Sequence, residues 1–188
     1  MSIRLIMTFF IIAASQVIAA SPSPQVYRNE EFGIEFPIPN GAQRCPVPKD
    51  ERDHGPVFIL GSTSPVGSVD LKHSRSIVIF AGANAEDTTK KLHDYLAHEV
   101  ELLGKDTRRK KLRNLQIAGF ACESARVDRS DGWIDIIVVT QAGKPDLAFD
   151  PSVPSINYFF GLHTTAGDLE VDLKSFRAIL EKIRLSPP

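Results

Sequence analysis

Methionine and cysteine are scarce in this 188-residue chain, at two each, and there is a single tryptophan. Cys45 and Cys122 are too widely spaced for any paired-cysteine zinc pattern. Neither Gly-x-Ser-x-Gly nor Ser-x-x-Lys occurs, so the usual settings of a nucleophilic serine are missing, and the loop Gly61 to Gly67 reads as a turn. There is no phosphate-cradling loop and no Asn-x-Ser/Thr glycosylation acceptor. His98-Glu99 begins like a zinc-protease helix, but Leu102 stands where the second histidine is needed. His93 and His98, five apart, lie about 140° apart around a helix and cannot easily share one ion. No cofactor is called for. An excess of one charge is missing too: 22 basic residues face 23 acidic ones. That balance gives no reason to expect nucleic acid or an anionic membrane as partner.

What is present begins with an export signal over residues 1–20. Arg4 precedes the apolar stretch Leu5 to Ala14, and the small-residue segment Val17-Ile18-Ala19-Ala20 follows. Cleavage is expected after Ala19 or Ala20. The rival, a membrane anchor, needs roughly 20 apolar residues, and here Ser15 and Gln16 interrupt a shorter run. No cysteine near the cleavage region could accept a lipid. The expectation is a periplasmic or secreted chain with no transmembrane anchor. Removing 20 of the 188 residues leaves 168, one domain over residues 21–188. In an exported protein the even cysteine count favours a Cys45–Cys122 disulfide. It would restrict the unfolded chain by about 4–5 kcal/mol. The alternative is two buried thiols acting as small apolar side chains.

Periodicity places the elements. After the extended leader Ser21 to Pro24, Val26-Tyr27-Arg28 and the alternating Phe32 to Phe36 flank the turn Asn29-Glu30-Glu31. Prolines 37, 39, 46 and 48, with Asn40-Gly41, oppose sustained structure. Strands follow at Pro56 to Leu60 and Ser76 to Ala81. Asn84 is placed to cap a helix from about Glu86, with Leu92, Tyr95, Leu96, Val100 and Leu103 on its apolar face and Gly104 as its stop. Leu115 to Gly119, Ala121 to Asp128 and Trp133 to Thr140 read as an antiparallel meander turning at Ser130-Asp131-Gly132. A strand at Ile156 to Leu162 and a helix from about Asp172 to Arg184 close the chain; Leu169, Leu173, Phe176, Leu180 and Ile183 form the helix's apolar stripe, and Ile179 widens it. Trp133, Tyr158, Phe159 and Phe160 are expected in the core. The class is α+β: an antiparallel sheet flanked by two main helices.

Phe32-Gly33-Ile34-Glu35-Phe36-Pro37-Ile38-Pro39 after the aromatic Tyr27, the Leu115 to Ala121 segment, and the closing Phe176 to Ile183 together resemble the PsbP-like α/β/α sandwich family. The resemblance covers most of the chain as an order of elements. It implies a non-catalytic scaffold that binds other proteins, and it transfers no catalytic residue.

Two polar concentrations are the candidate sites. The first is Asp50 to Pro56 with Asp70, Lys72 and His73 further on. His54 beside Asp53 reads either as part of a binding loop or acid–base pair, or as a solvated connection whose histidine bonds its own loop. The second is Lys105 to Arg113, with Arg108, Arg109, Lys110 and Lys111 at its centre. It reads as a dock for an acidic surface or as a solvated connector after a helix. The functional expectation is an exported, non-enzymatic domain that binds another protein, such as an accessory or immunity-type inhibitor of an envelope enzyme. The alternatives are a small envelope hydrolase using His54 or His73 and an apolar-ligand carrier.

Overall fold

The first alternating run folds back on itself. β1 (Val26–Asn29) and β2 (Ile34–Pro37) form an antiparallel hairpin with Tyr27 opposite Phe36. Asn29 shapes the turn: its Oδ1 accepts the Phe32 N–H at 3.1 Å, a side-chain bond that favours Asn in turns. The computed structural model describes residues 25–46, 53–62, 71–82, 91–104, 107–112, 116–142 and 156–186. Residues 1–20, Asp70 and the expected helix start at Asn84 to Glu86 lie outside the described residues.

The main sheet has eight strands, all paired antiparallel. They are β3 (Gln43–Arg44), β4 (Val57–Ile59), β5 (Ser76–Gly82), β6 (Thr107–Lys111), β7 (Gln116–Ile117), β8 (Phe120–Arg129), β9 (Trp133–Ala142) and β10 (Ile156–Thr165). Their order is β3-β4-β5-β10-β9-β8-β6, with β7 paired to β8 off that path. The β8–β9 hairpin turns where expected, at Ser130-Asp131-Gly132, and Gly132 takes a φ of 88°. Ala118 and Gly119, read from the sequence as the end of a strand, instead form a tight turn with both φ angles positive. Alanine is an uncommon occupant of that conformation.

Why the sheet needs a layer on each side is visible in β9. Ile134, Ile136 and Val138 point to one face, while Ile137 and Val139 point to the other. Helix α1 (Leu92–Leu102) covers the second face with Tyr95, Leu96 and Val100 packed on Ala125, Val127, Ile137 and Val139. Leu103 closes it, and Gly104, at φ 103°, donates its N–H to Glu101. The first face is covered by helix α2 (Leu169–Lys182), through Phe176 and Ile179, and by the β1–β2 hairpin, through Phe32, Ile34 and Phe36. α2 differs from the expected span at both ends: it begins at Leu169 and stops before Arg184. Arg184 and Leu185 are β11, which pairs with β2 and makes a three-stranded sheet ordered β1-β2-β11. The architecture is an α/β/α sandwich around an antiparallel sheet. Among the described residues no helix is long and apolar enough to cross a membrane.

Tyr158 joins the layers. It is fully buried on β10, and its hydroxyl donates to the Phe32 carbonyl at 2.7 Å. Burial pushes its phenol well above the ordinary value of 10.0. Above about pH 10 the unfolded chain therefore loses a proton that the folded one keeps, so stability falls as pH rises, by up to about 1.4 kcal/mol per unit. Tyr158→Phe is expected to flatten that alkaline slope and to cost about 1–2 kcal/mol at neutral pH, where Phe32 loses its donor. Urea denaturation at pH 7 and at pH 10.5 checks both effects. An unchanged slope would mean that Tyr158 does not carry it.

The expected disulfide does not form. Cys45 lies just after β3 and bonds through its N–H to Val57, whereas Cys122 sits on β8 opposite Thr140. Strands β4, β5, β10 and β9 separate β3 from β8. Five inter-strand spacings of about 4.8 Å make that roughly 24 Å, while a disulfide needs Cα atoms within about 7 Å. Both thiols are free, and burial raises the pKa of each, keeping them protonated at neutral pH.

Candidate functional site

The segment His54 to Pro56 runs alongside β5. Ala81 N–H donates to His54 at 2.6 Å, and Ile79 N–H donates to Pro56 at 3.0 Å. Gly55 permits this approach: its φ is 137°, and a side chain there would run into the Ile79 carbonyl. The His54 ring lies between Phe32 and Phe80, with centroids 5.4 and 5.1 Å away, and its Nδ1 is 3.1 Å from the Ala81 carbonyl. An acceptor there fixes the proton on Nδ1. Asp53 makes no bond to the ring. One of its oxygens holds Arg44 at 2.7 Å and the other accepts Gly55 N–H at 3.1 Å. Asn29 reaches over and donates to the Asp53 carbonyl at 2.6 Å. The Asp53–His54 concentration is thus a stapled loop, its carboxylate and imidazole each bonded elsewhere. His73 is exposed on a single 3-10 turn (Leu71–His73) before β5, at the opposite end of that strand from His54. The structure does not bring these two histidines together.

The basic run after α1 is a strand. β6 pairs with β8 in the register Arg108 opposite Asp128, Arg109 opposite Val127 and Lys110 opposite Arg126, and among the described residues it is the last strand of the sheet on that side. A run with no apolar alternation gives no strand signal of its own, and pairing along β8 decides its conformation. Arg108, Arg109 and Lys110 are exposed; the side chain of Lys111 lies outside the described residues. Lys110 reaches Asp128 at 3.3 Å, and Arg126 donates to Asp128 at 2.7 Å. Slight burial pushes the Asp128 carboxyl up, but those two partners outweigh it and hold the group below the usual range. Arg108 and Arg109 have no ion pair among the described residues.

A third cluster was not legible in sequence. His163 on β10 lies opposite both Asp135 on β9 and Ser76 on β5, so the three share one row across the sheet on the α1 side. His163 Nδ1 is 2.6 Å from Asp135 Oδ1, and Trp133 stacks on the ring at 4.3 Å and 9°. Trp133, expected in the core, is therefore a half-buried lid on a histidine. Arg129 lies 3.8 Å from the other Asp135 oxygen and 2.8 Å from Asp131. A serine, a base and an acid in one row resemble a nucleophilic relay. The relay is not made: no hydrogen bond joins Ser76 to His163, whose Nε2 is buried without a partner, and Ser76 itself is buried. Among the described residues no group of three or more His, Cys, Asp or Glu is placed to hold a metal ion.

A groove of about 660 Å³ lies between α2 and the sheet. Ile136 and Val138 contribute from β9, and Leu173 and Leu180 from α2, while Arg126 and Arg177 bring charge. In sequence Leu173 and Leu180 belong to the same stripe as Phe176. In the structure Phe176 is buried and the two leucines are only half-covered.

The sequence matches no protein-family model and no curated protein. By fold the chain is similar to LpqN, involved in cell envelope biogenesis of Mycobacterium tuberculosis, at a TM-score of 0.53 and 12% identity over 82% of this chain and 83% of that one. It is also similar to cyanobacterial PsbP (CyanoP) from Synechocystis sp. PCC 6803, at 0.52 and 15% over 93% and 99%. The Saccharomyces cerevisiae Ran-binding protein Mog1p aligns at 0.48 and 13% over 89% and 97%. At these identities the likeness is one of fold, and the fold is the α/β/α sandwich of the PsbP-like proteins.

Proposed function

We propose that this chain works outside the cytoplasm as a non-catalytic domain that recognises another protein, an accessory or immunity-type partner of an envelope enzyme. The observation that carries the reading is β6: an exposed, terminal strand whose Arg108 and Arg109 lack ion-pair partners among the described residues. Such an edge offers backbone donors and acceptors for strand addition, and its charge selects an acidic partner over a second copy of itself. Two findings weigh against the hydrolase alternative: His54 is stapled to Ala81, and Asp53 is spent on Arg44 and Gly55. LpqN, similar in fold, is involved in cell envelope biogenesis, in keeping with an envelope setting.

The test is affinity capture from envelope extract with the wild-type protein and with an Arg108→Glu, Arg109→Glu, Lys110→Glu variant. The expected result is one enriched acidic partner, bound at least about tenfold more weakly by the variant and released by added salt. The Lys110–Asp128 pair is more than half exposed on the lysine side, so its loss should cost under about 1 kcal/mol and leave the fold intact. Well-folded wild-type protein that captures nothing, or a partner held equally by the variant, would sink the reading.

A further inference from the structure

We propose that the groove between α2 and the sheet binds a single-chain anionic amphiphile, an unbranched acyl chain with a carboxylate head. This goes beyond the protein-binding reading: the groove adjoins β6, since its Arg126 lies opposite Lys110, but its apolar walls come from β9 and α2.

Four observations lead there. The groove's 660 Å³ lies within the range of small-molecule pockets, about 300–1000 Å³. Its walls are predominantly aliphatic: Val138 and Ile136 from the sheet, Leu173 and Leu180 from the helix. Val138 and Ile136 are buried at its floor, while Leu173 and Leu180 are half-covered and leave apolar surface open along the helix side. The charged residues lining it are Arg126, Arg177 and Glu181, two cations against one anion. Arg177 is exposed and has no ion pair among the described residues, not even with Glu181 one turn along the helix. Arg126 spends only its Nε on Asp128. An apolar cleft with two under-used guanidinium groups at its charged margin matches a long chain ending in a carboxylate.

Magnitude favours a lipid chain over a partner helix. One helical turn is about 5.4 Å long and 10 Å wide, roughly 420 Å³. The groove would seat little more than a turn and a half, too short a stretch to anchor a helix. A narrow flexible chain uses the same volume along its whole length.

The probes are dodecanoate, tetradecanoate and hexadecanoate, each below its micelle concentration, with methyl tetradecanoate as the head-group control, titrated by calorimetry into the purified full chain. One saturable site is expected, with affinity rising about fourfold per added methylene. The methyl ester should bind about tenfold more weakly than the acid. Arg177→Glu should weaken the acids about tenfold and leave the ester unchanged. Leu173→Trp should plug the groove and lower binding of both, with Leu180→Trp as the substitute if circular dichroism shows that the first variant misfolds. No saturable binding at any chain length overturns the proposal. So does binding that neither substitution changes, because the chain then sits elsewhere. Binding of an apolar helical peptide without binding of the acids overturns it in favour of a protein occupant.

Discussion

Asp172→Ala is expected to cost about 3 kcal/mol of folding stability, the largest effect of any single carboxylate removal here. Asp172 lies in the first turn of α2 and is buried. Its Oδ2 accepts the Thr164 hydroxyl at 2.6 Å, and Arg75 approaches its Oδ1 at 3.6 Å while also pairing with Asp168. One side chain therefore ties the start of α2 to β10 and to the entry of β5. Alanine would strand the fully buried Thr164 hydroxyl and leave Arg75 with only the more exposed Asp168. It would also remove a negative charge from the positive end of the helix dipole. Alanine's better helix propensity gives back only about 0.5 kcal/mol. Asp172→Asn keeps an acceptor for Thr164 and should cost about half as much. Chemical denaturation of both variants decides the matter: a loss under 1 kcal/mol for alanine would show that the cluster is not what seats α2.

Gly55→Ala should be as damaging, for a different reason. The position requires a φ of 137°, and the added methyl would collide with the backbone carbonyl of Ile79, an atom held in the centre of the sheet. Strain of about 1–3 kcal/mol for the dihedral and a similar amount for overpacking add to roughly 2–6 kcal/mol. His54 should leave its place between Phe32 and Phe80, which the histidine ring resonances would report. Gly132→Ala is the control. Its φ is also positive, at 88°, but a Cβ there meets nothing within 4 Å. Only the conformational cost of about 1–2 kcal/mol should appear. Equal losses at the two glycines would refute the steric account of Gly55.

Both predictions rest on contacts between residues far apart in the chain, and the same divide separates what could be read in the sequence from what could not. Periods are local. The alternation of Phe32, Ile34 and Phe36, the helical spacing of Leu92, Leu96 and Val100, and the stripe through Phe176 and Ile179 were legible because each element's buried face recurs at its own repeat. The Ser130-Asp131-Gly132 turn was legible because its backbone conformation favours those residues. β6 was not: Thr107 to Lys111 carries no alternation, and hydrogen bonding along β8 makes it a strand.

The sequence by itself therefore determined the class of fold, the two helices, most of the strands and the place of the β8–β9 turn. Register and strand order were decided only by the tertiary structure. Register set His163 opposite Asp135 under Trp133, 28 positions apart in the chain for the acid and base. Strand order put Cys45 and Cys122 near opposite sides of the sheet, free, where cysteine counting had paired them. It also left β6 at the margin with its arginines exposed, and the packing of α2 on the sheet left a groove along Leu173 and Leu180. The physical reason is common to all of these. Local pattern says which face of an element must be buried, but only the competition among whole elements for the same apolar surface says against what.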